Sequence, residues 1–265
     1  MNYKNNIVWI TGASSGIGEA FARAFFKEGA KLILSSRRIE TLEEVRDALG
    51  GDESNCFILP LDLADSESLP KKTTEALKAF GNIDVLVNNG GISQRSLFAE
   101  SDMSTIRRLM EVNFFGSAEL TRTILPSMIE RKSGHIIVTS SVAGKFGTKF
   151  RSGYAASKHA LHGLFDCIRQ EMYEHNVAIT MVCPGPIKTN ITQNSLTADG
   201  SDFGKMGDLH KTAMDADEMV SRIWGNIKKQ KEEIYISSPK ERLALLVKRI
   251  SPRLLNIILK NSKVT

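Results

Sequence analysis

Five short apolar runs, rich in β-branched residues, recur along the chain at 7–10 (IVWI), 32–34 (LIL), 83–87 (IDVLV), 135–140 (HIIVTS) and 177–183 (VAITMVC). Each is nearly continuous in apolar character, as a strand covered on both faces must be. Helical patterns lie between them, at 17–28, 66–80, 102–130, 154–175 and 215–230. In the first, Ile17, Ala20, Phe21, Ala24 and Phe25 form a single stripe. Strand and helix alternating in this way predict a parallel sheet with helices on both faces. No shift in composition marks a second domain, so residues 1–239 read as one α/β domain. The stretch 190–212 is polar, carries three glycines and lacks periodicity, and reads as a long loop of the kind that forms lids.

The first strand runs directly into Gly12, Ala13, Ser14, Ser15, Gly16, Ile17 and Gly18, and a helix follows. Glycine is required in such a turn for three reasons: the tight bend, close backbone approach to a pyrophosphate, and helix-on-strand packing. The phosphates then meet free N–H groups at a helix N-terminus. The position of these glycines, after a strand and before an amphipathic helix, predicts a dinucleotide site in a doubly wound Rossmann fold. The second strand ends in Ser35-Ser36-Arg37-Arg38. Ser36 stands where an NAD enzyme places an acid for the ribose 2′-hydroxyl. Arg37 and Arg38 suit a 2′-phosphate, because a guanidinium makes paired, charge-assisted bonds to it. NADP(H) is therefore the expected cofactor.

Six motifs, in order, resemble those of the short-chain dehydrogenase/reductases: TGASSGIG at 11–18, LDL at 61–63, NNGG at 88–91, Asn113, Ser141 with Tyr154-Ala-Ala-Ser-Lys158, and PGPIKTN at 184–190. The resemblance covers about residues 5–235. Gly90 departs from it, since the family usually has alanine there. Later segments (PSMIERKSGHII, FRSGYAASKHAL, PGPIKTN and TADGSDFGKM) resemble the dehydrogenase/reductase member 7 group, and within it the branch linked to acyl-dihydroxyacetone-phosphate reduction. The eukaryotic members of that branch carry an N-terminal membrane anchor, which is missing from this sequence. The resemblance implies hydride transfer between NADPH and a carbonyl compound, and a lipophilic ketone as substrate.

Tyr154 and Lys158 are four residues apart on an expected helix and so share a face. A phenol titrates near 10, about three units too high for a base at neutral pH. One ammonium at ~4 Å supplies about 4 kcal/mol at an effective dielectric of ~20, which covers that gap. Lys158 is thus expected to lower the pKa of Tyr154. Ser141 ends a strand, where ligands bind in parallel sheets, and its hydroxyl can orient a substrate carbonyl. Ser140 competes for that role but falls on the opposite side of the pleat. By resemblance, Asn113 holds a water linked to Lys158 in a proton relay. Asp62 and Leu63 border the adenine, Asn89 lies near the cofactor ribose, and Ile187 and Thr189 lie near the carboxamide. The competing function is a catalytically idle NADP(H)-binding redox sensor or scaffold, against which the intact Asn113, Ser141, Tyr154, Lys158 set argues.

The net charge is +5, yet residues 240–265 alone carry +6 and the remainder −1. A neutral body argues against nucleic acid as a partner. The tail places Leu243, Leu246, Val247 and Ile250 on one stripe among Arg242, Lys248 and Arg249, and continues beyond Pro252 with Leu254, Leu255, Ile257, Ile258 and Leu259. We read it as a basic amphipathic helical tail and not as an independent domain. Three uses stay open for it: peripheral contact with an anionic membrane surface, attraction of a phosphorylated acyl substrate, or packing on its own domain or another subunit. We also expect a homo-oligomer. Cys56, Cys167 and Cys183 are too few and too scattered for a disulfide framework or a metal site, and read as buried thiols in a cytoplasmic, reducing setting. An apolar strand beginning at residue 7 leaves no room for a signal peptide.

Overall fold

The computed structural model describes residues 1–205 and 213–260. Seven strands form one sheet in the order β3-β2-β1-β4-β5-β6-β7, and every pairing is parallel. The strands are β1 (Ile7–Thr11), β2 (Lys31–Ser35), β3 (Cys56–Ile58), β4 (Val85–Asn88), β5 (Gly134–Thr139), β6 (Val177–Pro184) and β7 (Glu233–Ile236). Among the described residues, nine α-helices accompany them: α1 (Gly16–Lys27), α2 (Ile39–Ala48), α3 (Leu69–Phe80), α4 (Met103–Met110), α5 (Gly116–Arg131), α6 (Ser152–Glu171), α7 (Ala216–Lys228), α8 (Pro239–Ile250) and α9 (Pro252–Lys260). This is the expected single-domain, doubly wound α/β architecture.

The alternation within β1 shows why its apolar run is unbroken. Val8 and Ile10 point to one face, where they join Phe21 and Phe25 of α1 and Val220 and Ile223 of α7. Ile7 and Trp9 point to the other, into a core shared with Leu69 of α3, Leu120 and Ile124 of α5, and Phe165 of α6. A strand with a period of two between two helical layers needs apolar side chains at every position. Each buried large side chain contributes about 1.5–3 kcal/mol.

Elements absent from the sequence reading are short or lie at an edge. β3 has three residues and β7 is a four-residue edge strand of alternating burial. α2 buries only Leu42 and Val45. The expected helix over 102–130 is divided: α4 and α5 are joined by a π-helical turn at Glu111–Phe115. Cys167 corrects another expectation. It is exposed on α6, whereas Cys56 and Cys183 are buried, because the outward face of that helix meets no second layer at this position.

The tail forms α8 and α9. Leu255 is buried with Val142 and Phe146, and Ala244, Leu245, Val247 and Leu259 pack against them. The stripe read from the sequence is therefore split. Val247 packs inward, while Leu243, Leu246 and Ile250 are 58%, 55% and 76% exposed. Among the described residues, no helix is long and apolar enough to cross a membrane.

Candidate active site

The carboxyl ends of β1, β4 and β5 meet at the site, and each brings one part of it. The glycine turn leaves β1 with Gly12 and Gly16 at φ values of +63° and +57°, a region L side chains rarely adopt. A Cβ on Gly18 would stand 2.1 Å from the Gly12 carbonyl oxygen, so helix α1 can approach the strand only because that residue is glycine. Ser14 is half-buried and Ser15 exposed. Ser15 caps α1 from an extended conformation without a side-chain hydrogen bond to the first turn. The leading N–H groups of α1 are thus offered to an anion, with no side-chain oxygen in the way. These features fit the pyrophosphate of a dinucleotide. Thr189 closes over the same turn, its methyl 2.7 Å from where a Gly16 Cβ would be. Ile187 is held beside it by a bridge to Met214.

Asn89 binds the turn to β4. Its side-chain amide donates to the carbonyls of Thr11 (3.1 Å) and Gly12 (3.3 Å), and its backbone N–H donates to the Thr11 hydroxyl at 3.0 Å. Leu63 is buried under the same strand end, and a Cβ on Gly90 would meet its Cδ1 at 2.5 Å. The glycine that departs from the family pattern makes room for Leu63. Asp62 is exposed and accepts from the Ala64 N–H at 2.9 Å. Arg37 and Arg38 are exposed at the end of β2, and neither joins an ion pair among the described residues.

The four residues expected to carry chemistry come together. Ser141 follows β5, accepts from the Ala143 N–H at 3.1 Å, donates to the Pro184 carbonyl at 3.4 Å and favours the ionised form of the Tyr154 hydroxyl. Ser140 faces away, with its hydroxyl 3.0 Å from His162 Nε2. Lys158 is buried one turn after Tyr154 and donates from Nζ to the Thr139 carbonyl at 2.8 Å. Asn113 sits in the π-helical turn, fully buried. Its Oδ1 accepts from the Ile92 N–H at 2.8 Å, and its Nδ2 donates to the Ile92 carbonyl and the Ser157 hydroxyl, each at 2.9 Å. π-turns of this kind recur at functional sites because the extra residue re-aims a side chain and frees backbone groups.

One expectation is corrected. Tyr154 does not have a lowered pKa in the protein alone. Burial raises it above the ordinary value, and the bond to Ser141 and the charge of Arg151 only partly oppose this. Burial also pushes Lys158 down to about 8. The ammonium lies 5.9 Å from the Tyr154 ring centre and is directed at Thr139. The charges that act on the Tyr154 hydroxyl do not include Lys158, and the desolvation of the phenolate is the larger effect.

Sequence reasoning missed Gln94. Fully buried, it accepts through Oε1 from the N–H groups of Gly153 (2.7 Å) and Tyr154 (3.4 Å). It thereby satisfies the start of α6 and fixes the turn that carries Tyr154. Its neighbours come from 60 residues further along the chain, so no local pattern could reveal it.

The family model for short chain dehydrogenases matches residues 6–200, and the chain belongs to that family of oxidoreductases acting on CH–OH and C=O groups. Within it, the chain falls in the dehydrogenase/reductase member 7 group. It is similar to mouse dehydrogenase/reductase SDR family member 7B, 38% identical over 255 residues covering 95% of this chain and 79% of that one. An alcohol dehydrogenase from the archaeon Thermococcus sibiricus, complexed with 5-hydroxy-NADP, superposes with a TM-score of 0.74 at 25% identity, covering 88% of this chain and 96% of that one. A short chain dehydrogenase/reductase from Burkholderia phymatum, in complex with NAD, superposes with a TM-score of 0.83 at 23% identity over 96% of each chain.

Proposed function

We propose that this chain reduces a lipophilic ketone with NADPH, on a substrate resembling acyl-dihydroxyacetone phosphate. The observation that carries the reading is the convergence of Asn113, Ser141, Tyr154 and Lys158 at the carboxyl end of β5, with the Tyr154 hydroxyl buried and its pKa raised by that burial. A phenol in that state is a proton donor to a carbonyl oxygen. Ser141 would accept from Tyr154 and hold the substrate oxygen in line for that proton. Lys158, one turn after Tyr154 on α6, would favour the phenolate left behind once its ammonium turns from the Thr139 carbonyl toward it, and Asn113 fixes the backbone at Ile92. When bound, the cofactor supplies the hydride. The N–H groups at the start of α1 would hold its pyrophosphate, and Asp62, Leu63, Ile187 and Thr189 would flank it.

Arg37 and Arg38 support NADP(H) over NAD(H). Among the described residues neither joins an ion pair, and position 36, where an NAD enzyme places an acid, holds a serine whose hydroxyl donates to the Arg38 carbonyl at 3.3 Å. The tail supports a peripheral role at an anionic lipid surface, because exposed Leu243, Leu246 and Ile250 lie beside exposed Arg242, Arg249 and Arg253. Assembly into a homo-oligomer belongs to the same proposal.

A panel of soluble ketones and acyl-dihydroxyacetone phosphates, followed by NADPH absorbance, tests the reading. NADPH consumption dependent on an added ketone is expected. NADPH binding with no consumption on any carbonyl would instead assign an idle sensor or scaffold.

A further inference from the structure

Arg151 acts on the Tyr154 hydroxyl and on Arg95, and among the described residues no acid pairs with either arginine. Gln94 is bonded to Gly153 and Tyr154, and the Ser96 N–H donates to the Phe150 carbonyl at 3.2 Å. These bonds lay the segment 94–96 along the start of α6, so Arg95 and Arg151 share one side of the site. The other wall is the described part of the loop after β6. The Arg95 N–H donates to the Leu196 carbonyl at 2.8 Å, and its guanidinium lies 5.8 Å from the Phe203 ring centre. Arg151, the N-cap of α6, precedes Tyr154 by three residues, and its charge acts on the Tyr154 hydroxyl.

Each of these cations is unfavourably placed by itself. Both are half-buried, burial and then the charge of Arg151 push the Arg95 guanidinium below its ordinary range, and Arg151 caps the positive end of a helix. Arg95 Nε, Arg151 Nε and the Ser152 hydroxyl are buried without a hydrogen-bond partner. Asp199, in the facing loop, is bonded to Thr197 and Ser201 instead, and among the described residues neither arginine joins an ion pair. Buried polar groups are ordinarily satisfied, so three unsatisfied donors on the segments that lie along the start of α6 need an acceptor from outside.

We infer that Arg95 and Arg151, with Ser152, form a subsite for an anionic group of the substrate, a phosphate monoester or a carboxylate, and so determine specificity beside Tyr154. Guanidinium forks bind either group through paired bonds. The inference rests on the ketone-reductase reading and adds which residues recognise charge.

The test uses matched ketones: dihydroxyacetone phosphate against dihydroxyacetone, and 4-oxopentanoate against 2-pentanone. In the wild type, kcat/KM is expected to favour the charged member of at least one pair, and which pair responds separates phosphate from carboxylate. Arg95→Gln or Arg151→Gln should cut the charged-to-neutral ratio about 10–100-fold, chiefly through KM. Arg95→Lys should restore part of it. Melting curves with dihydroxyacetone phosphate or inorganic phosphate give a second readout that needs no turnover: the ligand should raise the wild-type midpoint and not that of the Gln variants. A ratio near one in the wild type, or Gln variants that lose both members equally, overturns the subsite while leaving the reductase intact. If no ketone is turned over, the reductase reading fails, and the melting shift alone decides the subsite.

Discussion

On the glycine-turn side of the cleft, backbone meets backbone. Gly18 touches the Gly12 carbonyl, Asn89 ties both ends of the turn to β4, and the closest approaches exist because side chains are missing. On the α6 side, long side chains leave donors over: Arg95 Nε, Arg151 Nε and the Ser152 hydroxyl are buried without a hydrogen-bond partner. The first side binds what every member of such a family shares, and its geometry is set by sterics that allow almost no variation. The second must fit one substrate, and its geometry depends on long, rotatable residues supplied by distant segments.

The largest effect should come from the reactive hydroxyl between the two sides. Tyr154→Phe keeps the ring and removes the transferable proton, so turnover should fall about 10²–10⁴-fold with NADPH affinity within a few-fold of wild type. Steady-state kinetics checks this, and retention of more than a tenth of turnover would sink the assignment.

Arg37→Ala sharpens the comparison from the cofactor side. NADPH binding should weaken by roughly 10–100-fold, as expected for lost bonds to a charged group, while NADH binding barely changes. Fluorescence titration with both cofactors measures it, and equal losses would mean that Arg37 serves the fold.

Two glycine substitutions test whether the turn is set by sterics. Gly18→Ala pushes a methyl into the Gly12 carbonyl and should cost about 1–3 kcal/mol, as overpacking does, together with cofactor affinity. Gly163→Ala, exposed within α6 and with nothing within 4 Å of the new carbon, should stabilise by about 0.5–1 kcal/mol. Melting curves on both would refute the steric account if the two changes behaved alike.

The smallest effect on soluble substrates should follow removal of residues 240–265. The truncated enzyme should still reduce short ketones and should lose binding to anionic vesicles, each basic residue near the surface having contributed about 1 kcal/mol at low salt. Sedimentation with vesicles, with and without salt, measures this. Absence of binding by the full chain at low salt would rule out the membrane role and leave tail packing.

These differences also explain what could be read from the sequence. β1, β2, β4, β5 and β6 were legible because strands buried on both faces are apolar throughout. β3 and β7 were not, being edge strands whose outer positions tolerate Phe57 half-buried or Glu233. The glycine turn and the i, i+4 pair of Tyr154 and Lys158 are local patterns and visible in one dimension. Gln94, Arg95 and Arg151 acquire their roles only when segments some 55 residues apart are folded together. The sign of the Tyr154 shift was misread for a related reason: spacing along a helix says which groups share a face, but desolvation depends on everything packed around it.

The π-helical turn at Glu111–Phe115 gives the segment from Met103 to Arg131 two helical phases. One residue advances a helix by about 100°, so the additional residue turns α4 by that amount relative to α5. α5 then presents Leu120, Ile124 and Met128 to the sheet, while α4 presents Leu109 and Ile106 to Tyr154 and Leu196. Deleting one residue between 111 and 115 would give a more regular helix and a worse enzyme, since Leu109 and Asn113 could no longer both keep their partners. Insertions and deletions are therefore poorly tolerated at a place where the hydrogen-bond ladder is already irregular.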